Sequence, residues 1–191
     1  MILSNIEIVK AIQSQKIEIE PLAGVDPALP PFNTSSVDLR LAPDISVPKV
    51  DAGVTLRPSR GRLAQILASN SETHVITPAR PFLLAPNCFI LGKTRERVNF
   101  PIPEDSSNVC YSARVEGKSS LARCGVLVHF TAPTIHAGFE GTITLEIINL
   151  GPYDILLEAD TYICQLIIEE VKGTPILTPS QFRGQTTPIG I

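Results

Sequence analysis

The spacing of apolar residues divides the chain into a short helical start and a long β-rich remainder. Ser4 followed by Glu7 forms a capping box, after which Ile8, Ala11 and Ile12 recur at helical spacing. A helix of about three turns is predicted there, ending near Gln15. From Asn33 to Leu41, Val37, Leu39 and Leu41 alternate with Ser36, Asp38 and Arg40, the pattern of a half-buried strand. Between Val47 and Pro81 the chain is rich in proline, glycine and polar residues, and only Arg62 to Ala68 has helical texture. Beyond Pro81 come β-prone runs at Phe82 to Ala85, Cys88 to Lys93, Gly125 to Thr131, Gly141 to Asn149, Asp154 to Glu158 and Thr161 to Val171. Short strands punctuated by Pro, Gly, Asn and Asp predict a mainly β fold, an antiparallel barrel or sandwich. The 17 prolines count against a helix bundle, since each one in a helix interior costs about 3 kcal/mol. No repeat is visible, and residues 180–191 have no core pattern and read as a flexible tail.

Composition narrows the function classes. The 191 residues fit a single domain, residues 1–191. Hydrophobic residues at 43% and charged residues at 18% are globular proportions. A net charge of −3 gives no general attraction to nucleic acid or to an anionic membrane, so a phosphate ligand needs a local set of donors. The basic run Lys93, Arg95 and Arg97, interleaved with Glu96, reads as a solvated face. No segment approaches the ~20 apolar residues of a membrane span, and the N-terminus lacks signal-peptide order. Cys88, Cys110, Cys124 and Cys164 are far apart in or beside apolar runs, and are expected to be reduced thiols in a cytoplasmic protein.

Two stretches carry candidate chemistry. Gly117 and Lys118 lead into Ser119-Ser120-Leu121-Ala122-Arg123, with Gly125 beyond. That order suits a single helical turn between strands, with serine hydroxyls, an arginine fork and a lysine charge available to phosphate oxygens. It equally suits an ordinary capped turn with solvated charges. In Gly141 to Asn149, Thr142, Thr144 and Glu146 share one strand face and Ile143, Leu145 and Ile147 the other. A carboxylate shielded within that run is expected to have a raised pKa suited to general base and then acid work. A surface glutamate fits the same pattern. Zinc-type nucleobase deaminases need His-x-Glu and Pro-Cys-x-x-Cys, and this chain has neither, so no zinc is expected.

SSVDLRL (Ser35 to Leu41), RVNFP (Arg97 to Pro101), EGKSSLAR, VHFTAPTIHAGFEG and TLEI stand in the order and spacing of a known family. The chain resembles the dCTP deaminase branch of the trimeric dUTPase superfamily. Pure dUTPases of that superfamily share the serine motif and the AGFEG-like turn, but carry an aliphatic residue where Glu146 stands. The resemblance implies a distorted antiparallel β-barrel, a homotrimer with active sites shared between subunits, and a nucleoside triphosphate bound with Mg²⁺. By position it implies Glu146 as the group that activates water for attack on C4 of cytosine and then protonates the departing ammonia. Lys118, Ser119, Ser120 and Arg123 would contact phosphates or order the site, and the backbone at Thr131 and Ala132 would shape the base pocket. Gln165 matches a family glutamine that also fits a satisfied polar group in a core strand. Gln185 matches a residue of the segment that closes over the triphosphate.

The chain departs from the family at several places. His136, in TIHAGFEG, takes the position of an aspartate that belongs to the nucleotide site near the sugar and serves the hydrolytic water of dUTPases. Gln181 and Phe182 replace a Lys-Tyr pair in the tail. Beside deamination of dCTP to dUTP, two alternatives stay open: a dUTP diphosphatase or bifunctional deaminase–diphosphatase, and a non-catalytic nucleotide-binding homologue. His129, in VLVHF, reads as a structural histidine, and His74 needs no function.

Overall fold

The first helix forms where the capping signal places it. In the computed structural model, which describes residues 1–49, 53–61, 63–105, 109–173, 175–178 and 184–190, α1 spans Asn5–Gln13. Ser4 Oγ accepts from the Glu7 N–H, and Ile8, Val9 and Ala11 face the core. The other helices are short: α2 (Leu63–Ser69) and α3 (Ser119–Arg123).

Among the described residues there are also thirteen strands: β1 (Glu18–Glu20), β2 (Phe32–Asn33), β3 (Ser36–Arg40), β4 (Asp44–Pro48), β5 (Ser71–Val75), β6 (Phe82–Leu84), β7 (Phe89–Asn99), β8 (Cys110–Gly117), β9 (Val126–Val128), β10 (Thr134–Ile135), β11 (Glu140–Asn149), β12 (Ile155–Leu157) and β13 (Tyr162–Val171). One sheet runs β5-β4-β7-β11-β9 with β1 also on β7, a second runs β10-β8-β13-β3-β2, and β12 pairs with β6. Every pairing is antiparallel. A bridge from Leu41 to Thr94 ties the two large sheets together. They wrap one apolar core, a distorted barrel filled by residues such as Ile8, Leu39, Phe100, Leu145 and Leu166.

Several elements differ from expectation. The run from Asn33 to Leu41 is not one strand: β2 and β3 form a hairpin that turns at Thr34 and Ser35. Between Val47 and Pro81 the predicted helix is present as α2, with Arg62 outside the described residues, but β4 and β5 also form there. Their composition is polar because β5 is an edge strand exposed along most of its length. β8, with no apolar run in CYSARVEG, was not anticipated; Ala113 and Val115 alternate inward against Ser112, Arg114 and Glu116.

The basic run lies within β7, where Arg95 and Arg97 face solvent as expected while Lys93 and Glu96 are enclosed. Glu96 is 1% exposed and takes Arg40 Nε at 2.7 Å and the Arg40 N–H at 2.8 Å. Lys93 Nζ donates to the Thr186 carbonyl at 2.7 Å and lies 3.1 Å from Asp44. That contact belongs to a docked C-terminal segment. Residues 184–190, expected to be loose, lie along β11: the Gly184 N–H donates to the Glu140 carbonyl, and Thr142 exchanges hydrogen bonds with Gln185.

The end of α3 is clamped to the loop after β11. Gly125, at φ +87°, accepts from the Leu150 N–H at 2.8 Å, and a Cβ on Gly151 would meet the Cys124 carbonyl oxygen at 1.9 Å. Asn149 holds the same loop by accepting from the Gly151 N–H at 2.9 Å. Gly151→Ala therefore forces two backbones apart and is expected to cost about 2–3 kcal/mol. Denaturant unfolding measures this, and a loss below about 0.5 kcal/mol would contradict the clamp.

Candidate active site

Glu146 owes its position to the pleat of β11. Ile143, Leu145 and Ile147 are at most 1% exposed, so the intervening Thr142, Thr144 and Glu146 face the other side. The register against β7 shifts between Thr142 and Thr144. Thr94 closes that irregularity: its hydroxyl accepts from the Ile143 N–H at 2.9 Å and donates to the Glu96 carbonyl at 2.7 Å. Glu146 then lies across from Leu91, which in turn pairs with Ser46 on β4. The Ser46 hydroxyl is buried and without a hydrogen-bond partner.

His129 completes the group. It follows β9 at φ +52°, a left-handed conformation uncommon outside glycine, and its N–H donates to the Glu146 carbonyl at 2.8 Å. This bend brings Nδ1 to 3.0 Å from Glu146 Oε2. The approach is close enough for an ion pair but off the line of a hydrogen bond, leaving both imidazole nitrogens and Oε2 without an aligned partner. The sequence reading placed His129 as a structural histidine packed within a strand; it is buried, but it follows β9 and meets Glu146, a contact that was not expected. What hid it was register: alternation within VLVHF does not reveal that His129 ends up beside Glu146.

The expected upward pKa shift of Glu146 is also corrected. Burial is the largest influence and pushes the carboxyl up, but the adjacent His129 and a backbone hydrogen bond together outweigh it. The group settles below the ordinary glutamate value.

Glu146 and His129 line a cleft of about 740 Å³. Ala132 and His136 form one wall, and the His136 carbonyl accepts from the Phe139 N–H across a turn in which Gly138 has φ +84°. α2 supplies an apolar wall through Leu63, Ala64 and Leu67. Gln185, 8% exposed, closes a third side with Gly190. The α2 wall was not legible in the sequence, since its apolar residues show only weak helical spacing.

The remaining candidates lie elsewhere in the chain. Ser119, Ser120 and Arg123 are exposed on α3, and Thr131 is exposed beyond β9. Lys118, the N-cap of α3, contacts Asp38 on β3. Gln165 accepts from the Ser36 hydroxyl at 3.1 Å, in keeping with a satisfied polar group on β13. None of these six lines the cleft that holds Glu146. Gln181 and Phe182 lie outside the described residues.

Comparisons with known proteins bear on the family and the fold. A model of a family described as dCTP deaminase-like matches residues 2–171. A dUMP-forming dCTP deaminase of Methanobrevibacter smithii is 36% identical over 178 residues, covering 93% of this chain and 84% of that protein. A dCTP deaminase of Haloarcula marismortui is 35% identical over 194 residues, covering 98% and 92%. The solved 2'-deoxycytidine 5'-triphosphate deaminase from Agrobacterium tumefaciens superposes with a TM-score of 0.63 at 21% identity. It matches 87% of this chain, which spans only 47% of that longer one. The chain belongs to the dCTP deaminase-like family of enzymes.

The Glu146–His129 contact has a definite pH signature. A carboxyl whose pKa is lowered on folding adds stability above its unfolded value, near 4.3, and loses it as pH falls through the lowered folded value. His129→Gln removes the imidazole but not the burial, so Glu146 should titrate at higher pH than in the unaltered protein. Carboxyl ¹³C NMR against pH checks this; an unmoved titration would show that His129 is not the cause.

Proposed function

We propose that this protein deaminates dCTP hydrolytically, giving dUTP and ammonia, with Glu146 as the single acid–base group. The observation that carries the reading is the placement of one partly buried carboxylate, beside His129, in a cleft large enough for a nucleoside. Ionised Glu146 takes a proton from water as the oxygen bonds to C4 of the pyrimidine. The same carboxyl then returns that proton to the amino nitrogen, the C–N bond breaks, and ammonia leaves. His129 holds the carboxylate from one side. Ala132, at the cleft wall next to Thr131, would border the ring through its backbone, and His136 and Gln185 would meet the sugar and phosphates.

Phosphate binding is assigned to Ser119, Ser120 and Arg123, whose exposed side chains leave them free for a ligand outside their own cleft, together with the half-buried Lys118, which Asp38 holds. This separation supports a homotrimer in which the turn of one copy serves the cleft of another. Mg²⁺ would arrive on the triphosphate, neutralising its charge. No described helix is long and apolar enough to cross a membrane, and a cytoplasmic location suits a nucleotide substrate.

A second reading concerns the product. Relatives such as that of M. smithii are named dUMP-forming, and deamination followed by diphosphate cleavage is the second reading. His136 argues against it here: an imidazole offers at most one acceptor lone pair where the family's aspartate offers two carboxylate oxygens to a sugar hydroxyl and a hydrolytic water together. Incubation with dCTP and Mg²⁺, resolving ammonia from pyrophosphate, separates these readings. Ammonia with little pyrophosphate is expected, whereas equal amounts would establish the dUMP-forming reaction. Glu146→Gln should lower kcat by at least about 10²-fold with nucleotide binding retained; unchanged turnover would remove Glu146 from its role, and binding without any turnover of cytosine or uracil nucleotides in the unaltered protein would select a non-catalytic homologue.

A further inference from the structure

The polar face of β3 is fully engaged, and its middle residue points to a role beyond the core. Ser36 donates to Gln165, Arg40 pairs with Glu96, and Asp38 takes the ammonium of Lys118. Asp38 is itself fixed: Asn33 Nδ2 donates to Oδ1 at 2.9 Å while Oδ2 receives Lys118. The Asp38 and Lys118 side chains are only 12% and 26% exposed. Lys118 Nζ also lies 5.7 Å from the centroid of the Tyr162 ring, so the ammonium is confined from two directions. Ser119, Ser120 and Arg123, the next residues along, have no such restraint and face solvent.

We infer that Asp38 is a positioning residue for triphosphate binding, holding Lys118 in one orientation on the turn that begins α3. The inference rests on the proposed assignment of phosphates to that turn. A free lysine side chain surrenders rotamer freedom when it closes on a ligand. Asp38 removes that freedom before the ligand arrives, and this is the effect assigned to it. The carboxylate also offsets part of the ammonium's attraction for phosphate, so the net sign is what the titration below reads. The three-donor ammonium still has donors left for phosphate oxygens.

Calorimetric titration with Mg²⁺–dCTP and with deoxycytidine, alongside steady-state kinetics, tests this. Asp38→Asn should weaken dCTP binding about tenfold and raise KM with little change in kcat, leave deoxycytidine binding unaltered, and be largely rescued in Asp38→Glu. If Asp38→Asn does not fold, Asn33→Ala, which frees Asp38 Oδ1 at the surface, should give the same selective loss of dCTP affinity to a smaller extent. Arg123→Ala distinguishes the two levels of failure. Weakened dCTP binding in Arg123→Ala with unchanged or tighter binding in Asp38→Asn, or in Asn33→Ala where that variant stands in, overturns the positioning role alone. Unchanged dCTP binding in both Arg123→Ala and the Asp38 or Asn33 variant overturns the phosphate assignment itself. Weakening in the Asp38 or Asn33 variant supports the role whichever way Arg123→Ala behaves, and an equal loss for deoxycytidine would reduce Asp38 to a structural residue.

Discussion

The pleat of β11 is the constraint on which the cleft depends. Ile143, Leu145 and Ile147 each remove an aliphatic side chain from water, at about 1.5–3 kcal/mol apiece. A slip of one residue would place Thr142, Thr144 and Glu146 in the core and three apolar side chains outside. The core thus fixes which way Glu146 points without any contact to the carboxylate. Thr94 secures the remaining freedom, since its hydroxyl satisfies the Ile143 N–H where the pairing with β7 is irregular.

Charge in this protein is kept paired wherever the sheets enclose it. Glu96, almost fully buried, is held by both the side chain and backbone of Arg40, and Lys93 is shared between Asp44 and the C-terminal segment. Such pairs contribute less to net stability than to fixing one arrangement, because desolvation offsets much of their attraction. The pairs bind segments far apart in sequence: β3 to β7, β4 to β7, and residue 186 to residue 93. They hold the walls of the cleft in register with β11.

What the sequence made legible follows from the range of the interactions concerned. The cap at Ser4, the alternation within β11 and the helical texture of α2 are local, and each produced the expected element. The family motifs likewise named Glu146, His136 and Gln185, which the fold brings to one cleft. Long-range facts stayed hidden. Nothing in KTRERVN distinguishes Glu96 from its exposed neighbours, because its burial depends on Arg40, 56 positions away. The docking of Gln185 on Thr142 was invisible for the same reason, as the tail has no periodicity of its own. His129 was misread because its position depends on one left-handed residue at the end of β9.

The lowered pKa of Glu146 might look unsuited to a group that must hold a proton in mid-reaction, yet the balance of influences resolves this. In the free protein His129 and a backbone hydrogen bond together outweigh burial, so the carboxylate is ionised and ready to accept a proton from water. On the proposed reading, a pyrimidine entering the cleft displaces water from around Glu146 and strengthens desolvation, already the largest influence and the one that favours the neutral acid. Proton affinity therefore rises when the reaction needs it, and falls again when the product leaves. A carboxylate held low by its neighbours and raised by occupancy serves both halves of a deamination, whereas one raised permanently by burial would begin the cycle already protonated.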